Sequence, residues 1–160
     1  MLTAMKREQG YTLTEMLVAM ALMMILAGGG AWSWQRWQQR ERLWQVAVQV
    51  RDYLAQLRSD ASWHRRDRVP EVRREPTGWC LSARREVHPP CPGDSPWVMI
   101  PAWPEVTLEE ITPSLGFYGL RSTAWPGHIL LRSPAGRWRV VVSAWGRIRL
   151  CESGRSPLCP

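Results

Sequence analysis

Two groups of residues in this chain stand at spacings that could do chemistry. The first is a single carboxylate: Glu15 is the one charge in the otherwise apolar run from Tyr11 to Ala31. An acidic side chain in hydrocarbon costs roughly 2.5–3.5 kcal/mol on insertion scales, so Glu15 calls for a cationic partner. A buried charge is tolerated when paired, and leaving one partner alone costs several kcal/mol. The second group is basic. Arg147 and Arg149, in "GRIR", are two apart on an expected strand, and Arg137 and Arg139 repeat the spacing on the strand before it. Alternate residues of a strand face the same way, so four guanidinium groups on two strands could clamp phosphates, with strong salt dependence. A solvated strand face, or a contact to another protein subunit, accounts for the same pattern.

Catalytic and metal-binding constellations are scarce. His64, His88 and His128 are scattered, with neither the HxxxH nor the HExxH spacing of a metal site. Ser114 and Ser143 lack the GxSxG elbow, and no phosphate-binding loop occurs. Glu109 and Glu110 are adjacent, hence on opposite faces of a strand, and read as solvated or capping residues. No catalytic residue, metal ligand or cofactor follows from the sequence. The four cysteines, Cys80, Cys91, Cys151 and Cys159, include no CxxC or Cys/His knuckle. Each local pair brackets a turn-rich segment, which favours Cys80–Cys91 and Cys151–Cys159 over the two other connectivities and over four buried thiols. Disulfides would put the globular part in an oxidising compartment.

The elements that must position these groups begin with a long helix. Residues 11–31 would span about 30 Å as a helix, the thickness of a bilayer's hydrocarbon core. Lys6 and Arg7 precede the run, and the positive-inside rule keeps that end cytoplasmic. Trp32, Trp34 and Trp37, with Arg36 and Arg40, follow it as an interfacial belt. The C-terminal part then lies on the far side, in agreement with the disulfides. A cleaved secretory signal is the alternative, with "AGGGA" as its cut. Against it, Glu15 interrupts the core and the helical pattern continues past the cut. Leu43, Ala47, Val50, Leu54, Leu57 and Ala61 recur at three or four, with Val46 beside them, while Arg42, Gln45, Gln49, Arg51, Asp52 and Gln56 fall elsewhere. No proline occurs between Tyr11 and Val69, so one helix of about 50 residues is expected. Gly28, Gly29 and Gly30 either bend it, melt it locally or allow close helix packing.

After about Trp63 the text changes to short strand-like runs between Pro and Gly: "GWCLSA", "PWVMI", "LGFYGLR", "HILLRS", "RWRVVVSA" and "GRIRLC". "SPAG" reads as a hairpin turn. In "GRWRVVV", Trp138, Val140 and Val142 alternate with Arg137, Arg139 and Val141, so one face is buried. A long helix packed on a small antiparallel sheet is an α+β fold. The net charge of +7, with pI near 10, comes from 21 basic residues of which Lys6 is the one lysine. So uniform an arginine bias is compositional, and it does not by itself imply nucleic acid. The eleven tryptophans could stack bases, but at a bilayer and in a small core they supply packing area.

"KREQG" followed by "YTLTEMLVAMALMMILA" resembles the type IV prepilin signature, a short basic leader ending in glycine before a hydrophobic helix. The resemblance implies that a prepilin peptidase cuts after Gly10 on the cytoplasmic side and methylates the new N-terminal amine on Tyr11. It also implies that Glu15, at mature position five, meets the N-terminal amine of a neighbouring subunit in the filament. Tyr11 stands where phenylalanine is commonest in that family. Three further stretches, "RLWQVAVQVRDYLAQLRSDASWHRRD", "PSLGFYGLRSTAWPGHI" and "VVVSAWGRIRLC", resemble minor pilins of the prepilin peptidase-dependent kind, related to H-type pseudopilins and T-type fimbrial minor pilins. The likeness implies the pilin fold: leader 1–10, membrane and assembly half-helix 11–31, amphipathic half-helix 32–62 and periplasmic β-rich head 63–160. The implied partners are prepilin peptidase, other minor and major pilins or pseudopilins, and the inner-membrane assembly platform. The implied location is the bacterial inner membrane, single-pass, then a pilus or pseudopilus. In the T-type relatives a GRxR motif of this region is implicated in DNA capture, which would give Arg147 and Arg149 that role and make nucleic acid a partner.

Overall fold

The computed structural model describes residues 12–83, 91, 93 and 95–154, the side chains of residues 29, 31 and 32 excepted; the leader, Tyr11, Trp32, His88 and Cys159 fall outside that description. One helix, α1, runs over Leu13–His64, 52 residues, close to the length the unbroken pattern predicts. The hydroxyl of Thr12 accepts the N–H of Glu15 at 3.3 Å, capping a helix start that would otherwise leave that donor orphaned. The helix stops at Arg65, whose φ of 50° is the left-handed turn that ends helices. The N–H of Arg66 then reaches back to the Ala61 carbonyl at 3.3 Å.

The chain divides into two compact units, Met1–Arg36 and Trp37–Pro160. In the first, described residues 12–28 are all exposed. In the second, the expected stripe of α1 is the heart of the core: Leu43, Val46, Ala47, Val50, Leu54, Leu57 and Ala61 are all at most 1% exposed.

The strands that receive this stripe are β1 (Glu71–Glu75), β2 (Gly78–Ser82), β3 (Val98–Met99), β4 (Thr107–Ile111), β5 (Gly116–Tyr118), β6 (Thr123–Trp125), β7 (Gly127–Ser133), β8 (Gly136–Val142) and β9 (Ile148–Glu152). They form a three-stranded sheet β1-β2-β3, a four-stranded sheet β4-β7-β8-β9 and the hairpin β5-β6, each pairing antiparallel. This is the expected α+β arrangement. Ile129 and Leu131 of β7 and Val140 and Val142 of β8 point into the core, with Ile148 and Leu150 of β9 packed against it. Trp138, on the same face of β8, meets Trp44 of α1 edge to face, centroids 4.6 Å apart. The β7–β8 turn falls at "SPAG", pairing Ser133 with Gly136.

The polar residues of α1 do more than meet water. A second stripe, beside the core stripe, holds an extended segment over residues 96–105 along its length. The Arg42 guanidinium donates to Glu105 at 2.6 Å, and the Trp103 indole N–H donates to Gln45 at 2.8 Å. Gln49 uses both ends of its amide, donating to the Ile100 carbonyl at 3.1 Å and accepting from the Ala102 N–H at 3.0 Å. The Tyr53 hydroxyl donates to the Trp97 carbonyl at 2.8 Å, and Gln56 to the Pro96 carbonyl at 3.4 Å. Helix positions 42, 45, 49, 53 and 56 advance by three or four, one face of a helix, while their partners count backward. The segment therefore runs antiparallel to α1. Burial pushes the Tyr53 phenol up, and the Arg42 hydrogen bond draws the Glu105 carboxyl down.

Asp60, one turn further, is a buried acid. It accepts from Arg68 Nε at 2.6 Å and from Arg66 at 3.0 and 3.1 Å, and His64 Nδ1 lies 2.8 Å away. The Arg66 hydrogen bond first, and Arg68 after it, hold the Asp60 carboxyl down at about 2 against an opposing effect of burial. Arg68 also lies over Trp97, its guanidinium carbon 4.0 Å from the ring centroid. The disulfide joins Cys80 of β2 to Cys91, as the local pairing predicts. Cys151 of β9 is also disulfide-bonded; its expected partner, Cys159, is not described.

Candidate functional site

The N-terminal unit poses a solvation problem. Leu13, Met16, Leu17, Val18, Met20, Leu22, Met23, Met24, Ile25 and Leu26 are each more than half exposed. Burying one such side chain is worth about 1.5–3 kcal/mol, so this set withholds on the order of 20 kcal/mol, more than the typical 5–15 kcal/mol that holds a whole domain together. An apolar surface of that size is covered by lipid or by other apolar helices. The helix is long and apolar enough to cross a membrane, with a mean hydropathy of 1.8 over its best window.

Glu15 sits in the first turn of this helix, exposed. The helix N-terminus carries a partial positive charge that favours a carboxylate there, which lowers the cost of Glu15 without removing it. No described residue supplies a cation to Glu15: the ion pairs of the described residues all fall from Arg40 onward. Gly10 and Tyr11, the expected cleavage and methylation residues, lie outside the described residues.

The four arginines singled out in the sequence do not all share one face. The β8–β9 register sets Val141 opposite Arg149 and Arg139 opposite Cys151, so Arg137, Arg139 and Arg149 share the outer face of the sheet. Arg147 does not. It precedes β9, its N–H donates to the Ser143 hydroxyl at 3.1 Å, and its side chain lines a cavity of about 490 Å³ with Arg51, Ala55, Arg58, Ser59 and Ser62 of α1. The expected two-strand clamp is corrected on this point: Gly146, with φ of 72°, breaks the strand alternation just ahead of Arg147. Arg137 is also partly neutralised, 3.4 Å from Glu109, which lies 3.8 Å from Arg132. Glu109 stands where β4 changes register between Leu108 and Glu110, and Glu110 faces His128 at 3.6 Å. Both acids thus serve the sheet's outer face. Among the described residues no group of three metal-ligating side chains gathers.

The polar stripe of α1 and the Asp60 cluster were not readable as sites from sequence, although Gln45, Gln49 and Gln56 at helical spacing were a signal for a second occupied face. Comparison with known proteins bears on the N-terminal unit. Residues 5–31 match the model of the prokaryotic N-terminal methylation motif. No curated protein matches the chain. Among solved structures, the minor pseudopilin EpsH from the Type 2 Secretion System of Vibrio cholerae is similar at 16% identity and a TM-score of 0.43, over 68% of this chain and 95% of that one. The motif lies on the stretch whose leader, glycine, glutamate and apolar helix carried the resemblance, and by it the chain carries a prepilin-type N-terminal methylation motif.

Proposed function

We propose that this protein is a minor pilin or pseudopilin, which takes part in initiating or assembling a type IV pilus or a type II secretion pseudopilus. The observation that carries this reading is the coincidence of the methylation motif over residues 5–31 with an apolar helix whose large side chains meet no protein. On this reading prepilin peptidase cuts after Gly10 and methylates Tyr11 on the cytoplasmic side. The helix stays in the inner membrane with its head in the periplasm, where Cys80–Cys91 forms. It then leaves the bilayer sideways into a bundle of other pilin helices. Glu15 takes the free amine of a neighbouring subunit as its counter-charge, so the new N-terminus and the acid neutralise each other in an apolar core. The protein is the substrate of an enzyme and acts by assembly.

Changing Gly10 to a bulky residue should leave the leader attached in a mass spectrum of the membrane fraction; normal trimming would sink the reading. Glu15→Ala should be trimmed and methylated normally yet be scarce in sheared filaments, and wild-type abundance there would refute the charge pairing. A DNA-binding subunit through Arg137, Arg139, Arg147 and Arg149 is less favoured, because Arg147 leaves the sheet face and Arg137 is held by Glu109.

A further inference from the structure

At the C-terminal end of α1 three turns of chain meet, and each brings large apolar side chains into water. A Cβ on Gly119 would collide with the Ala61 carbonyl and the backbone of Arg65 and Arg66, so the β5–β6 turn lies directly on the helix exit. A Cβ on Gly146 would stand 3.0 Å from Arg58 Nε, which sets the β8–β9 turn against the same end of the helix. The Ala124 N–H bonds the Ala144 carbonyl at 3.0 Å, joining β6 to that turn. On this pole Trp63 is 83% exposed, Leu120 84%, Trp145 84% and Trp125 56%.

The charges around them are also unspent. Most described arginines have a carboxylate, a carbonyl or another partner, but the side chains of Arg58, Arg65, Arg121, Arg147 and Arg149 have none among the described residues. Arg149 belongs to the outer face of the sheet; the other four lie on or beside this pole. Its nearby acids are engaged: Asp60 by Arg66, Arg68 and His64, and Asp67 as acceptor from the Gly119 N–H at 3.3 Å.

We infer that this pole is the docking surface for a different protein that presents an acidic rim around an apolar centre. Tryptophan and arginine are the residues that dominate protein–protein contacts. The three indoles offer on the order of 500 Å², and the flanking arginines bring the patch toward the ~800 Å² per partner of a standard interface. A second copy does not fit, since it would set arginine against arginine across the contact. Leu120 favours protein over single-stranded nucleic acid, because a base stacks on an indole and gains little from an aliphatic tip. The inference goes beyond the assembly reading, since the pole is complete without any pairing at Glu15.

The test uses the full chain in neutral detergent and three fluorescent probes of equal charge: a peptide alternating Glu and Leu, an all-Glu peptide, and a single-stranded oligothymidylate. The Glu/Leu peptide should bind tightest. Trp63→Ala with Trp145→Ala, and separately Arg58→Glu with Arg147→Glu, should each weaken it tenfold or more, while Arg137→Ala on the sheet face leaves it unchanged. An unaltered unfolding midpoint confirms that the exposed replacements leave the head folded. Tighter binding of the oligothymidylate, equal binding of the two peptides, or no loss in the double variants would overturn the proposal.

Discussion

Residues 13–26 and 43–61 of one helix are both rich in large apolar side chains, yet they differ in what those side chains touch. In the first stretch no described residue covers them; in the second they are sealed under two sheets. The sequences differ accordingly. The first is apolar all round apart from Thr14 and Glu15, whereas the second carries a narrow apolar stripe beside a polar one. A helix greasy on every side needs an apolar solvent, and one greasy on a stripe needs a neighbour. The same residue types thus address an apolar solvent in one half and a protein core in the other.

The contrast is sharpest in paired truncations. Leu54→Ala should destabilise the head by about 2–5 kcal/mol, read as a fall in the denaturation midpoint followed by head tryptophan fluorescence. Leu22→Ala should leave that midpoint within about 0.5 kcal/mol of wild type. Equal losses would erase the distinction between the two stretches. A second, smaller effect belongs to the head alone. Replacing Cys80 and Cys91 by alanine removes a closure across a separation of 11 residues, worth about 3 kcal/mol, and should lower the same midpoint without changing how the helix partitions into membranes. Third comes Asp60. Its carboxyl is held at about 2, below its ordinary 3.8, so its contribution is complete above the unfolded value and drains away as pH falls from about 4 to 2. The contribution is at most about 2 kcal/mol, because Arg66 is half exposed and screened. Asp60→Asn should therefore cost stability at pH 7 and show a shallower loss between pH 4 and pH 2 than wild type. Identical acid profiles would show that the Asp60 cluster holds nothing.

Much of this architecture was legible in the chain. Every member of the stripe from Leu43 to Ala61 is buried, because period and proline-free length leave a helix little choice. The strands at "GWCLS", "HILLRS" and "GRWRVVV" announced themselves by β-branched and aromatic residues between turn formers. Three strands did not: β6, "TAW", is too short to show a pattern, and two others are charged. β1 is "EVRRE" and β4 is "TLEEI", each at the edge of its sheet, where one side is wet and charged residues are at home. Their sequence reads as a solvated patch until a neighbour's hydrogen bonds are known. Arg147 was misplaced for a related reason: alternation holds only while the strand lasts, and a glycine with positive φ ends it. The glutamines of α1 were placed only as lying off the apolar stripe, since nothing local says which distant backbone will come to meet them.

That row of contacts between α1 and residues 96–105 has a further consequence. Its centre is built from neutral groups, the amides of Gln45, Gln49 and Gln56 and the phenol of Tyr53, whereas its two extremities carry charge, Arg42 with Glu105 and, through the Arg68 guanidinium over Trp97, the Asp60 cluster. Brine or acid can loosen the extremities but has no purchase on the middle. Such a seam frays inward from both tips and stays fastened at its waist, which would keep the strap attached through swings in acidity and salt.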